Sequence, residues 1–189
     1  SITFIAGWRQ KVTVTVDGTE TKLEMQADAT AKQVTYLIPT PTDLSDYVFA
    51  KKWVVNAEGT PFDSKGSMTV RFAQTGGKHL YDVSSVSVNG TDFVETGKDI
   101  RLISCWDTGE GYYNFLVKNE TTESLTANDT TANVGDNIYL EKVSGKGDMT
   151  FKKGNWTLKK QVSDLANGSI KYVNKDGKYY QYRESTIKD

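Results

Sequence analysis

Short alternating runs separated by two-residue glycine turns recur along this chain and constrain its fold more than any other feature. Residues 11–16 alternate polar and apolar side chains with period two, as a half-buried strand does, and Asp17-Gly18 follows them. Asp-Gly between alternating runs favours a type I′ hairpin turn. Such a turn needs a positive φ at both central residues, and Asp and Gly adopt a positive φ more readily than most residues. The same signal recurs at Asn89-Gly90, Gly154-Asn155 and Asp176-Gly177. A chain built this way is predicted to form hairpins and β-sheet.

Helix signals are few by comparison. Residues 44–53 favour one or two helical turns with Thr42 as an N-cap, and residues 162–166 favour another short turn. Neither segment is long enough to organise a fold. The sequence therefore predicts an all-β protein with at most one or two short helical turns.

Two adjacent glycines, Gly76 and Gly77, follow one predicted strand and precede a fresh alternating run. We place a soft boundary here, which divides the chain into residues 1–77 and 78–189. The larger segment is expected to be an antiparallel β-sandwich or barrel. One continuous sandwich over the whole chain remains an open alternative.

The first 75 or so residues carry a series of motifs in a fixed order. An alternating strand and glycine turn come first, and a Thr/Val strand then runs into a proline-punctuated loop over residues 34–42. An aromatic segment from Tyr47 to Trp53 and a closing stretch over residues 56–63 follow. This order resembles the Listeria–Bacteroides repeat module, although Asp46 stands where the family usually has glycine. The resemblance implies a β-grasp-like unit and a place on a bacterial surface.

The tail carries a second, shorter resemblance. Residues 174–180 read Asn-Lys-Asp-Gly-Lys-Tyr-Tyr. This pattern is similar to the Gly-Lys-Tyr-Tyr hairpins of cell-wall and glucan-binding repeats.

Charge and composition exclude several classes of function. The net charge is −1, with 23 Lys and Arg against 24 Asp and Glu, and this balance argues against a nucleic-acid partner. No run approaches the ~18 apolar residues that span a bilayer, so no membrane insertion is expected. The single cysteine, Cys105, rules out an intrachain disulfide. The chain begins at Ser1, and we expect a secreted or cell-surface protein whose leader was removed, or a domain of a longer one.

The residues needed for catalysis are scarce. His79 is the only histidine and no Gly-x-Ser-x-Gly motif occurs, so a Ser-His-Asp or Cys-His site is not expected. One histidine and one cysteine also leave too few ligands for a familiar zinc site. No cofactor is predicted, and calcium at Asp107 and Glu110 is the alternative, because oxygen ligands suffice for that ion. The prediction is a non-enzyme, with a paired-carboxylate enzyme as a third class.

Aromatic side chains are the most suggestive feature, at 11% of the chain. Flat rings stack on the apolar faces of sugars, while amides and carboxylates reach the sugar hydroxyls. Core packing is the competing explanation for any single ring. The predicted ligand-binding residues flank the loop at 107–111, follow the Gly154-Asn155 turn or lie in the tail: Trp106, Tyr112, Tyr113, Asn114, Trp156, Tyr180 and Tyr182.

These observations together predict a non-catalytic extracellular binding module of a bacterial surface or secreted protein. The expected partner is a polysaccharide or glycan, bound through exposed aromatic rings. The alternative is a structural stalk, a surface-layer unit or an adhesin domain whose partner is a surface protein.

Overall fold

The computed structural model describes residues 11–24, 32–56, 61–74, 81–88, 91–93 and 99–189. Within these ranges the chain forms seventeen strands and one short helix, and this confirms the predicted all-β class. In chain order the elements are β1 (Lys11–Val16), β2 (Thr19–Glu24), β3 (Gln33–Leu37), β4 (Tyr47–Val55), β5 (Phe62–Asp63), β6 (Ser67–Gln74), β7 (Tyr81–Val88), β8 (Thr91–Phe93), β9 (Asp99–Thr108), β10 (Tyr112–Glu120), β11 (Leu125–Ala127), β12 (Thr130–Ala132), β13 (Asn137–Ser144), β14 (Asp148–Lys153), β15 (Trp156–Gln161), α1 (Val162–Leu165), β16 (Ile170–Lys175) and β17 (Lys178–Lys188).

The two helical predictions had different outcomes. The short turn predicted over residues 162–166 is confirmed as α1. The turns predicted over residues 44–53 are wrong, because this segment forms β4 after a tight turn closed by the Tyr47 N–H and the Leu44 carbonyl at 3.2 Å. Aromatic and β-branched residues make up most of β4, and such residues favour a pleated strand over a helix.

The chain forms two compact units, and each is discontinuous in sequence. Unit 1 comprises residues 1–42 and 51–105, and unit 2 comprises residues 43–50 and 106–189. The predicted boundary at Gly76-Gly77 lies outside the described residues, and β6 and β7 on its two sides pair antiparallel within unit 1. The division into residues 1–77 and 78–189 stays a prediction.

Unit 1 begins with the predicted hairpin between β1 and β2. Asp17 and Gly18 have φ values of 46° and 86°, as a type I′ turn requires. The Asp17 carboxylate accepts hydrogen bonds from the Ser104 N–H at 2.9 Å and the Ser104 hydroxyl at 2.6 Å. Val12 and Val14 are fully buried on one face of β1, while Thr13 and Thr15 on the other face are partly exposed. The predicted alternation therefore holds in this strand.

Sheet pairing in unit 1 includes one long-range parallel contact. Residues 13–16 of β1 pair in parallel with residues 99–102 of β9. A second sheet has the strand order β3-β6-β7-β8, with antiparallel neighbours throughout. The predicted turn at Asn89-Gly90 lies outside the described residues, and the strands on its two sides, β7 and β8, pair antiparallel.

Unit 2 is built from two sheets that share one apolar core. The first joins β13, β10, β17 and β16, in which β10 and β17 pair in parallel and the β10–β13 and β16–β17 pairs are antiparallel. The second has the order β12-β11-β14-β15, with antiparallel neighbours. The core draws on strands of both sheets and on α1: Phe115, Val117, Leu125, Ala127, Ala132, Ile138, Leu140, Val143, Met149, Phe151, Val162, Leu165 and Ile187.

The turns of unit 2 follow the glycine signals of the sequence. Gly154 has a φ of 56° between β14 and β15, and Asp176 and Gly177 have φ values of 52° and 82° between β16 and β17. Gly168, after α1, meets a different constraint. A Cβ at this position would lie 1.7 Å from the backbone oxygen of Glu184 in β17, so only glycine fits there.

Candidate functional site

Two of the predicted ligand-binding residues are buried, and we correct them. Trp106 is 1% exposed, and its ring packs against Phe49 with centroids 5.8 Å apart. Asn114 is also 1% exposed. Neither side chain reaches solvent, so neither can stack on or hydrogen-bond to a bound sugar. The predictions for these two residues were wrong because an alternating pattern shows which residues share a face of a strand. It does not show which of the two faces the rest of the protein covers.

Asn114 instead holds a β-bulge together. The register of β10 against β13 shifts between residues 113 and 115, and Lys142 opposite has a φ of 53°. The side-chain oxygen of Asn114 accepts a hydrogen bond from the Lys142 backbone N–H at 2.9 Å. The side-chain NH2 of Asn114 donates to the Gln181 backbone carbonyl at 3.0 Å and to the Tyr47 hydroxyl at 3.2 Å. Its side chain thus satisfies backbone groups on both neighbouring strands.

Tyr112 and Tyr113 point to opposite sides of β10, as the alternation predicts. Tyr113 packs inward, 5.7 Å from the Phe115 ring and 5.4 Å from the Arg183 guanidinium. Tyr112 is 48% exposed and lines an open cleft of about 400 Å³, which we call the Tyr112 cleft. Its other lining residues are Glu110, Gly111, Tyr113, Ser144, Gly145 and Lys146.

The Tyr112 cleft depends on a close approach of two loops. The Gly145 N–H donates to the Gly111 carbonyl at 2.6 Å. A Cβ at Gly145 would lie 3.0 Å from that oxygen and from the Tyr113 ring. A larger residue would therefore push the loops apart.

Trp156 is the most exposed aromatic ring named above, at 72%. It follows the Gly154-Asn155 turn and pairs with Lys153 across the hairpin. Beside it lies an open cleft of about 300 Å³, which we call the Trp156 cleft, lined by Lys153, Trp156, Leu158, Lys188 and Asp189. This volume lies at the lower end of the range for small-molecule sites.

Charged groups give the Trp156 cleft its polar chemistry. The Asp189 carboxylate forms an ion pair with Lys153 and accepts the Thr122 N–H at 2.9 Å. The hydrogen bond from Lys153 lowers the pKa of Asp189 below its ordinary value. The carboxylate is therefore ionised at neutral pH and acts as an acceptor, while the ammonium groups of Lys153 and Lys188 act as donors.

Tyr180 and Tyr182 lie with two other tyrosines on the sheet of unit 2. The Tyr180 ring is 4.8 Å from that of Tyr47, and the Tyr182 ring is 6.5 Å from that of Tyr139. All four side chains are partly buried, so each ring keeps only part of its surface open to solvent. Burial of the hydroxyl, and then the Glu141 carboxylate, raise the pKa of Tyr139.

The possible calcium ligands are not arranged as a site. Asp107 accepts a hydrogen bond from the Tyr172 hydroxyl at 2.6 Å, and Glu110 is exposed. In the described part of the chain, no three His, Cys, Asp or Glu side chains come together as a metal site. His79 lies outside the described residues.

The three charged residues of the Trp156 cleft could not all be predicted from the sequence, and none of them was among the predicted binding residues. Lys153 could have been found, because a two-residue turn at 154–155 places residues 153 and 156 opposite each other. Lys188 and Asp189 have no such signal, because the tail reaches this cleft only through the parallel pairing of β17 with β10.

Comparison with protein-family models, with curated proteins and with solved structures gives no match to this chain. The resemblance of residues 1–75 to the Listeria–Bacteroides repeat therefore stays a prediction. The helix found among the described residues, α1, has four residues, far fewer than a membrane-spanning helix needs.

Proposed function

We propose that this chain is a non-catalytic module of a bacterial surface or secreted protein, and that unit 2 binds a polysaccharide or glycan at Trp156. The observation that carries the proposal is the 72% exposure of the Trp156 ring on a tight hairpin. A large ring held in water forgoes the free energy of burial, whereas stacking on the apolar face of a sugar recovers part of it.

The groups around the ring suit a polyhydroxyl ligand. Asp189 offers acceptor oxygens, and Lys153 and Lys188 offer donors, all lining the same cleft. Sugar hydroxyls both donate and accept, so they match a site with both kinds of group. The Tyr112 cleft is the second platform in the same unit, with Glu110 and Lys146 in the corresponding roles.

The contribution of the ring follows from its area. Stacking covers roughly 40–80 Å² of apolar surface, which at about 25 cal/mol per Å² contributes about 1–2 kcal/mol. This corresponds to a roughly fivefold to thirtyfold change in affinity. Module affinities of this kind are modest, so the loss would take binding close to the limit of detection.

Calorimetric titration of the whole chain against a panel of neutral and acidic polysaccharides tests the proposal. Trp156→Ala should weaken binding by the factor above, Trp156→Phe should retain part of it, and Val134→Ala, at another exposed apolar residue, should leave it unchanged. Circular dichroism confirms that each variant folds. If Trp156→Ala binds as well as wild type, the Tyr112 cleft takes its place and Tyr112→Ala becomes the deciding variant.

A structural stalk, surface-layer or adhesin domain is the second candidate function. It is favoured by the number of large rings that packing alone explains, since Trp53, Trp106, Phe115 and Phe151 are all fully buried. A wild-type chain that binds no polysaccharide in the panel would refute glycan binding and leave this candidate.

A further inference from the structure

Lysines concentrate on the hairpin that carries Trp156. Strands β14 and β15 contain four lysines and a single acidic residue, Asp148. Lys153 is ion-paired with Asp189, whereas Lys152, Lys159 and Lys160 have no ion pair within the described part of the chain. The whole chain has a net charge of −1, so this positive charge is a local feature.

Strand β15 is the outer strand of its sheet and pairs only with β14 in the described structure. Its six residues extend for roughly 20 Å. Trp156 and Lys160 lie on one face of this strand, and Lys159 lies on the other. A polymer lying along the outer edge of β15 would therefore meet the ring at one end and an ammonium group on each side.

Lys152 extends this charge onto β14. Its register partner is Thr157, which places its Cα diagonally across from that of Lys159, about 7–8 Å away. Two unpaired ammonium groups on neighbouring strands of one face repel each other and attract an anion. Thr150, opposite Lys159, and Thr126, opposite Lys152, add hydroxyl groups to the same face.

We infer that the ligand of the Trp156 site is an acidic polysaccharide, whose sugars carry carboxylate or sulfate groups, lying along the outer edge of β15. The inference rests on the proposed function and narrows its substrate class. Charge complementarity carries it: the hairpin that holds the exposed ring has one acid and three unpaired lysines, with Lys160 on the face of the ring and Lys152 and Lys159 on the other face. Lysines on an edge strand also discourage edge-to-edge aggregation, and the experiment separates that role from ligand binding.

The experiment compares dextran, carboxymethyl-dextran and dextran sulfate, which share one sugar backbone and differ in charge. Each is titrated into the whole chain by calorimetry, with poly(dT) as a polyanion that is not a polysaccharide. The two charged dextrans should bind at least tenfold more tightly than dextran. Raising NaCl from 0.05 to 0.5 M should remove most of that difference, because the Debye length falls well below 10 Å.

Charge-removing variants locate the site. Lys152→Gln, Lys159→Gln and Lys160→Gln together should weaken binding of dextran sulfate by roughly tenfold to a hundredfold, since each exposed charge pair contributes severalfold. The control removes the same charge elsewhere in unit 2, at Lys142, Lys171 and Lys175, which are ion-paired with Asp46, Glu184 and Glu141. The control triple variant should bind within about twofold of wild type.

The outcomes distinguish the two proposals. Equal binding of dextran and dextran sulfate overturns the acidic ligand and leaves glycan binding standing, whereas no binding to any polysaccharide overturns both. Binding of poly(dT) as tight as that of dextran sulfate shows a surface that selects charge alone, and this also overturns the inference. A Lys152/Lys159/Lys160 variant that keeps its affinity but self-associates on size exclusion assigns these lysines to edge protection instead. The salt dependence of the wild-type chain decides the question if a variant fails to fold.

Discussion

Replacing Asn114 with alanine removes one side chain that satisfies groups on both neighbouring strands. The substitution leaves the Lys142 N–H and the Gln181 carbonyl without their partner, at 2.9 and 3.0 Å in the native structure. Each unsatisfied group costs roughly 1–3 kcal/mol, and water reaches these partly buried groups in part, so we expect a total loss of about 2–4 kcal/mol.

Urea unfolding followed by circular dichroism measures this loss. With a slope of about 2 kcal/mol per M, the midpoint should fall by roughly 1–2 M. Asn137→Ala is the matched control, because Asn137 is exposed in β13 and its loss should change the free energy of unfolding by less than about 0.5 kcal/mol. Equal midpoints for Asn114→Ala and Asn137→Ala would refute the view that Asn114 stabilises the bulge.

Three further predictions concern stability. Burial raises the pKa of Tyr139 above its value in the unfolded chain, so the folded chain holds this proton more tightly. The free energy of unfolding should therefore fall as the pH rises above about 10. Tyr139→Phe should reduce that fall, since phenylalanine has no titrating hydroxyl, and urea midpoints at pH 7 and pH 10.5 measure the difference. Gly168→Ala should cost about 1–3 kcal/mol or more, because its Cβ would lie 1.7 Å from the Glu184 oxygen, and thermal unfolding beside the exposed control Ser169→Ala tests it. Gly18→Val should cost roughly 1–3 kcal/mol through its φ of 86°, whereas Gly18→Asn should cost less, and an unchanged urea midpoint for the valine variant would contradict the turn assignment.

Local features of this fold could be predicted from the sequence. The turns at Asp17-Gly18, Gly154-Asn155 and Asp176-Gly177 were predicted because a positive φ restricts the residue type directly. The helix at residues 162–165 was predicted for a similar local reason, since Asn167-Gly168 stops it.

Long-range features could not be predicted. The parallel pairings of β1 with β9 and of β10 with β17 join segments far apart in sequence, and no local pattern encodes them. The burial of Trp106 and Asn114 depends on such pairings, because neighbouring strands decide which face of β9 and β10 is covered. The exposure of Trp156 could be predicted in part from the sequence, because a residue directly after a two-residue turn lies at the end of its strand.

The position of β17 has a consequence for synthesis of the chain. This strand pairs with β16 and also, in parallel, with residues 115–120 of β10. During translation, β10 emerges from the ribosome well before residues 178–188 do. Until those residues emerge, one edge of β10 lacks its native partner and is open to pairing with another chain. Unit 2 should therefore need protection by a chaperone, or rapid synthesis of residues 121–188, to reach its native state at high expression.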